Sequence, residues 1–317
     1  MRGQAIVLAI NGWDPTGWEQ RFRALAGNRA VHVFPDALEA ADSIAYACAW
    51  KPDPGALAKF PNLKVIFSLG AGVDHLLRDP NLPDVPIARI VDPGLTQRMT
   101  EYVVLHVLMH HRRVRLYDAQ QRACLWRDHD QPAAPEVSVG IMGLGVLGQD
   151  AIEVLKRIGF KLNGWSRTEK NIDGVQTFHG AAGLDLFLAQ TEILVVLLPH
   201  TPETERILNL ALLRKLKRNG ARGGAYLINA GRGMLQVDDD IVAALDEGAL
   251  AGASLDVFPL EPLPKDSRLW RHSKITITPH NSASSVPREL AQNVLDQIAR
   301  FERGEPLQNV IDRKLGY

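Results

Sequence analysis

One junction constrains this chain more than any other feature. Ser138-Val139-Gly140-Ile141-Met142 has the apolar, β-branched character of a short buried strand. It runs without a break into Gly143-Leu144-Gly145-Val146-Leu147-Gly148, and a helical pattern follows over 151–158. A strand that turns directly into a helix on a G-x-G-x-x-G segment belongs to a parallel α/β unit. Gly143 permits the tight turn, Gly145 lets backbone approach a diphosphate, and Gly148 lets the helix lie close to the strand. The amides of Val146 and Leu147, at the helix N-terminus, suit an anion without a charged side chain. The expectation is a dinucleotide site; the plainer alternative is a tight strand–helix turn that serves packing only.

The next strand refines that expectation. An NAD site carries an acidic residue about 20 positions on, where it bonds the ribose 2′-hydroxyl. Here the strand ends Gly164-Trp165-Ser166-Arg167-Thr168, with no carboxylate at that place. Ser166 is neutral, and the planar guanidinium of Arg167 suits a 2′-phosphate. NADPH is therefore expected to be preferred, with NADH possible. Arg167 as a solvated loop arginine is the other reading.

Around the junction, short apolar runs alternate with helical patterns from end to end. Strands are expected over 5–10, 31–34, 44–50, 65–69 and 87–91. A long helix is expected over 100–122, entered after Asp92-Pro93-Gly94, and a Pro-rich link over 128–136. A second series of strands is expected over 137–142, 161–166, 193–198, 225–230, 253–258 and 275–278. Continuous apolar strands separated by helices indicate a parallel sheet covered on both faces. A chain of 317 residues has material for two such domains. The final helical pattern, 286–303, has no strand after it in its own series and can pack back on the first unit. The fold class expected is α/β, with two doubly wound parallel-sheet domains and the cleft between them: a substrate domain of flavodoxin-like type (1–100 plus 284–317) and a Rossmann-type cofactor domain (101–283).

Composition excludes several classes. Lys plus Arg and Asp plus Glu are 36 each, so there is no basic excess to suggest nucleic acid. No apolar stretch reaches the roughly 20 residues that cross a bilayer. The apolar run at 5–10 is too short for a signal-peptide core and reads as a first strand, so a cytoplasmic location is expected. Cys48 and Cys124 are far apart and lack metal or redox spacing. His110 and His111 are adjacent on a helix and point in different directions, so no metal is expected. Asp238-Asp239-Asp240 reads as charge placed against a helix dipole.

Three further segments sit at or just past expected strand ends: Asn229-Ala230-Gly231-Arg232, Asp256 through Glu261, and Thr278-Pro279-His280. Arginine can anchor a carboxylate and polarise a carbonyl through its forked donors. An imidazole exchanges protons near neutral pH, and a carboxylate on its other nitrogen favours the charged ring. Singly these residues have dull explanations: a surface ion pair, a loop acid, a capping histidine.

Taken together, Gly143 to Gly148, the Pro199-His200-Thr201-Pro202-Glu203-Thr204 loop, Arg232, Glu261 and His280 resemble the signature set of the D-2-hydroxyacid dehydrogenases, and their spacing matches. The resemblance covers nearly the whole chain, and Trp165-Ser166-Arg167-Thr168, Asp256-Val257-Phe258 and Gly316-Tyr317 are similar to the glyoxylate/hydroxypyruvate reductase branch. It implies reduction of small 2-keto acids, glyoxylate to glycolate and hydroxypyruvate to D-glycerate. Arg232, Glu261 and His280 would be catalytic. Leu198, Pro199, Thr204, Ala230, Gly231 and Asp256 would join the cofactor site. Ser68 to Asp74 resembles the substrate loop, with amides near Leu69 and Gly70 receiving a carboxylate and Ala71 and Gly72 beside them. Trp50 would wall the pocket or be a core aromatic, and Arg288 lies near where the branch has a substrate-facing arginine. A homodimer is implied as well. The chain departs from many relatives at Ser282, where they carry alanine, and at Gly231. The other functions weighed are reduction of bulkier 2-keto acids such as phenylpyruvate and a dinucleotide-sensing, corepressor-like binding protein.

Overall fold

The computed structural model describes residues 4–221 and 223–316; Met1, Arg2, Gly3, Arg222 and Tyr317 lie outside them. The chain begins with β1 (Ala5–Ile10), α1 (Thr16–Leu25), β2 (Val31–Val33), β3 (Ile44–Trp50), β4 (Val65–Ser68), α2 (Asp74–Leu77) and β5 (Ile87–Arg89). It continues with α3 (Pro93–His111), α4 (Val114–Arg122), β6 (Ser138–Met142), α5 (Val146–Ile158), β7 (Lys161–Ser166) and β8 (Gln176–His179). Then come α6 (Gly180–Ala189), β9 (Ile193–Val196), α7 (Leu210–Leu213), β10 (Tyr226–Asn229), α8 (Asp238–Asp246), β11 (Gly252–Leu255), β12 (Ile275–Ile277) and α9 (Pro287–Glu302). The chain divides into two compact units, one running through Leu95 and resuming at Ser284, the other Thr96–Ala283.

The first unit is a five-stranded parallel sheet in the order β2-β1-β3-β4-β5, the flavodoxin-like order. Its strands are apolar on both faces because both faces are covered. Ile6, Leu8, Tyr46, Cys48 and Phe67 pack with Trp18 and Phe22 of α1 and with Leu290, Ala291, Val294 and Ile298 of α9. Ala5, Val7, Ala47, Ala49 and Ile66 face the other way, toward Ala37, Leu57, Phe60 and Leu76. The last helix thus supplies part of the core that the first strands need.

The second unit is a seven-stranded parallel sheet in the order β12-β11-β10-β9-β6-β7-β8. This is the Rossmann order with one added strand, and its direction reverses beside β6. One face packs on α6, α7 and α8, the other on α3 and α5. Open sheets of this kind bind ligands beyond the carboxyl ends of the strands at the reversal, which is where the glycine-rich junction falls.

Two expectations need correction. The helix expected over 100–122 is two helices: α3 starts earlier, at Pro93, where Asp92 Oδ2 accepts the Leu95 amide at 2.9 Å. It stops before Arg113, whose φ of +58° cannot continue a right-handed helix. The sequence reading also passes over β8, an edge strand with polar Gln176, Thr177 and His179. No helix among the described residues is long and apolar enough to cross a membrane.

Candidate active site

At the reversal point of the second unit the glycines are required by contact. A Cβ on Gly148 would stand 2.0 Å from the Gly143 carbonyl oxygen, so any side chain there would force α5 away from β6. Gly143 has φ +115° and would meet the Leu197 carbonyl oxygen at 2.8 Å. Gly145, by contrast, has nothing within 4 Å of its Cβ position. The turn is tight against protein at its first and third glycines and open at the second, which fits a diphosphate approached by backbone. The first amides of α5 lack intrahelical acceptors and face that opening.

The neighbouring strand ends close up in the same way. A Cβ on Gly231 would lie 2.8 Å from the Leu198 carbonyl oxygen, so the chain after β10 passes directly over the chain after β9. Thr204 folds the Pro199 loop on itself: its hydroxyl donates to the Pro199 carbonyl at 2.8 Å and accepts the Thr201 amide at 2.8 Å. Leu198, Pro199, Thr204, Ala230 and Gly231 are therefore gathered beside Gly143. At the end of β7, Ser166 is buried and donates its hydroxyl to the Thr168 carbonyl at 2.7 Å, while Arg167 and Thr168 are exposed. Glu203 is held below the usual carboxylate range by the Thr201 hydroxyl, its own backbone and, last, the charge of Arg167.

Of the three catalytic candidates, His280 and Glu261 meet side chain to side chain. His280 Nδ1 lies 2.8 and 3.0 Å from the two Glu261 carboxylate oxygens, with both side chains about three-quarters covered. An ionised carboxylate only accepts, so Nδ1 carries the hydrogen and Nε2 is left for chemistry. Glu261 Oε1 also accepts the Phe258 amide at 3.1 Å, which fixes the carboxylate to its own loop. His280 sits at φ +53°; a left-handed non-glycine residue costs about 1–2 kcal/mol. Arg232 reaches this neighbourhood through backbone contact, since a Cβ on adjacent Gly233 would stand 1.9 Å from the Phe258 carbonyl carbon. Its Nη1 donates to the Gly231 carbonyl at 2.8 Å.

Sequence reasoning gave no holding role to the residues that support this set. Buried Asn229 shapes the turn before Arg232: its Oδ1 accepts the Gly231 amide at 3.1 Å, and its Nδ2 donates to the Arg232 carbonyl at 3.2 Å and to Gln236 Oε1 at 2.8 Å. Asp256, expected at the cofactor, is fully buried, and its carboxylate accepts from Thr278, Asn281 and Ser282.

In the first unit, Trp50 ends β3 at the point where that sheet reverses. Its ring stacks on Trp13 at 4.5 Å and tilts over His75 at 4.8 Å. A Cβ on Gly70 would fall 2.2 Å from the Trp50 ring, so the loop and the indole are in direct contact. Ser68 Oγ lies 3.1 and 2.9 Å from the Gly70 and Gly72 carbonyl oxygens, and its single hydrogen serves one or is shared between them. The Leu69 amide, expected among the carboxylate donors, is spent on the Ala49 carbonyl at 3.0 Å. The Gly70 amide reaches Ser68 Oγ only at a long 3.5 Å, so the donors left to an anion are those of Gly70, weakly engaged, and of Ala71 and Gly72. Arg288, in the first turn of α9, is largely exposed and lies 3.7 Å from Glu289.

Comparison with known proteins agrees with this architecture. Residues 104–282 match the family described as D-isomer specific 2-hydroxyacid dehydrogenase, NAD binding domain. Among solved structures, an NADPH-dependent glyoxylate/hydroxypyruvate reductase from Sinorhizobium meliloti, in complex with NADP and sulfate, is 48% identical. The alignment covers 99% of this chain and 100% of that one, with a TM-score of 0.94. A probable 2-hydroxyacid dehydrogenase from Rhizobium etli, in complex with NADP, HEPES and L(+)-tartaric acid, is 49% identical, with 99% of each chain covered and a TM-score of 0.93. A D-isomer specific 2-hydroxyacid dehydrogenase from Xanthobacter autotrophicus, in complex with NADPH and MES, is 39% identical over 99% of this chain and 100% of that one, again at 0.93. With a family match over more than half its length and near-complete alignment to such relatives, the chain belongs to the D-isomer specific 2-hydroxyacid dehydrogenases.

Proposed function

We propose that the chain reduces small 2-keto acids, glyoxylate and hydroxypyruvate foremost, with NADPH as its preferred cofactor. The observation that carries this reading is the His280–Glu261 pair held at the strand ends of a unit whose glycine turn is open only at Gly145. A binding protein that merely senses a dinucleotide has no use for an imidazole oriented by a carboxylate. The relatives crystallised with NADP or NADPH support the cofactor.

The amides of Val146 and Leu147 would hold the diphosphate, and Ser166, Arg167 and Thr168 the 2′-phosphate. Leu198, Pro199, Thr204, Ala230, Gly231 and Asp256 would line the remainder. When bound, the reduced nicotinamide supplies the hydride. Arg232 anchors the substrate carboxylate and polarises its carbonyl through the guanidinium fork. His280 Nε2 delivers a proton to the carbonyl oxygen as it becomes a hydroxyl, and Glu261 stabilises the charged ring beforehand. In the first unit, the Gly70–Ala71–Gly72 backbone offers donors suited to a carboxylate, and Trp50 restricts the space beside it.

The same reading includes a homodimer. Leu105, Leu116, Leu125 and Trp126 are exposed on α3, α4 and the segment after α4, and apolar exposure of that extent supports a partner surface. Free Cys48 and Cys124 support a reducing, cytoplasmic setting.

The test is NADPH and NADH oxidation by purified protein across glyoxylate, hydroxypyruvate, pyruvate and phenylpyruvate. Fast NADPH-linked turnover of the first two is expected. Cofactor binding with no turnover of any of the four would refute the assignment.

A further inference from the structure

Beneath the His280 loop runs a chain of hydrogen bonds whose direction is determined. Asp256 Oδ1 accepts the Thr278 hydroxyl at 2.7 Å and the Asn281 amide at 3.0 Å, and Oδ2 accepts the Ser282 amide at 3.1 Å. The His280 amide donates to the Asp256 carbonyl at 2.8 Å. Thr278 has a single hydroxyl hydrogen, and an ionised carboxylate can only accept it. The Tyr102 hydroxyl, 2.9 Å from Thr278 Oγ1, must therefore donate to Thr278. Burial, reinforced by the Asp256 charge, pushes the Tyr102 phenol's pKa upward, so it keeps its hydrogen.

The chain reads Tyr102 to Thr278 to the Asp256 carboxylate, which takes the amides of Asn281 and Ser282, while the main-chain carbonyl of the same residue takes the amide of His280, itself in a left-handed conformation. Tyr102 is itself fastened. His106, one turn on, lies with its ring 4.1 Å from the Tyr102 ring, and its Nδ1 is 2.8 Å from Ser254 Oγ. Ser254 sits on β11 two residues before Asp256, and His110 Nε2 meets the same hydroxyl at 2.9 Å. One face of α3 is thus docked by polar contacts on the strand that leads into Asp256.

We propose that Tyr102 and Thr278 are positioning residues for His280, acting through Asp256 to hold residues 280–282 so that the imidazole keeps its place against Glu261. The role in turnover rests on the proposed function; the role in holding the loop does not. A phenylalanine at 102 would fill the same buried space, so the hydroxyl is what the site adds.

The experiment uses full-length protein with NADPH and follows both amide hydrogen exchange and turnover in Tyr102→Phe, Thr278→Val and Thr278→Ser. In Tyr102→Phe, exchange in peptides covering 278–284 should accelerate about fivefold, the equivalent of one neutral hydrogen bond. Exchange elsewhere in the second unit should stay as it was. Turnover should fall by a similar factor while KM for NADPH stays within about twofold. Thr278→Val, which breaks both links, should do more on each readout, and Thr278→Ser should restore both. Unchanged exchange over 278–284 in Tyr102→Phe would overturn the proposal. So would a loosened loop with wild-type turnover, because the bonds would then be structural only. If the wild type turned over none of the four 2-keto acids, the proposed function would fail, and exchange would still decide whether the chain holds the loop.

Discussion

Gly145 and Gly148, three residues apart on one turn, should respond to alanine in opposite ways. At Gly148 a methyl group would stand 2.0 Å from a backbone oxygen that no rotamer change can move, and 3.3 Å from Ile141 Cγ2. Relief requires α5 to retreat by about 1 Å, a shift of the size that core overpacking produces. Ala151, Ile152 and Leu155, all fully buried, would move with it. The expected cost is about 3 kcal/mol, or a melting temperature lowered by roughly 6–12 °C for a unit of this size. At Gly145 the new methyl meets no protein atom within 4 Å, and φ −80° is open to any residue. Stability should change by no more than about 1 kcal/mol, the loss of a favourable N-cap glycine. The methyl would instead occupy the approach of the diphosphate, and NADPH affinity should fall by at least about 30-fold, equivalent to about 2 kcal/mol. Thermal melts without cofactor and fluorescence titration with NADPH separate the two effects. Wild-type NADPH affinity in Gly145→Ala would show that the diphosphate does not pass over this glycine. Wild-type stability in Gly148→Ala would contradict the contact itself.

Four other changes test different parts of the site. His280→Ala should lower kcat by about 10²–10⁴ with NADPH binding nearly intact, and a near-normal kcat would remove His280 from proton transfer. Glu261→Gln keeps the shape but loses the charge beside the imidazole; a drop in kcat of about 10–100-fold is expected, and steady-state assay with saturating NADPH reads it. Arg167→Ala should cut NADPH efficiency about 10–100-fold while NADH efficiency barely moves, so parallel changes in the two would mean that Arg167 does not contact the 2′-phosphate. Burial pushes His106 down to about 4, with the Asp256 charge opposing, so it is neutral in the fold while the unfolded chain protonates it below about 6.5. Its contribution is present above that pH and is lost as pH falls toward 4, by roughly 3 kcal/mol. Urea denaturation between pH 7 and 4 should be flatter in His106→Asn by about one proton.

The sequence made the second unit readable because its chemistry is local. The glycine turn, the missing acidic residue after β7 and the Arg232, Glu261, His280 spacing all lie along the chain. Strand ends were drawn one to three residues too long at 193–198, 225–230 and 253–258 for a physical reason. Leu198, Ala230, Val257 and Phe258 leave the ladder yet stay buried, so their apolar character continues past the last paired residue. The edge strand β8 was missed for the opposite reason, since a strand with its sides open to water can be polar. Arg113 ended a helix that periodicity would have continued, because nothing in its side chain announces a left-handed backbone. The Tyr102–Thr278–Asp256 chain was hidden most completely. Tyr102, His106 and His110 do recur at helical spacing, but polar residues on a helix face resemble a solvated surface until the strand beneath them is known.

The interrupted first unit also sets an order for synthesis. Its early strands and α1 leave the ribosome first, yet Leu290, Ala291, Val294 and Ile298, which complete one side of their core, are made only after the whole second unit. At about 5–20 residues per second, the roughly 190 intervening residues impose a wait of about 10–40 s. During that interval Trp18, Phe22, Ile6 and Leu8 lack their closing helix, whereas the second unit is continuous in the chain and needs nothing made after it. The nascent chain is therefore most exposed to aggregation in the half that emerges earliest, and a chaperone that shields the α1–β1 surface until α9 appears would raise the yield of folded protein.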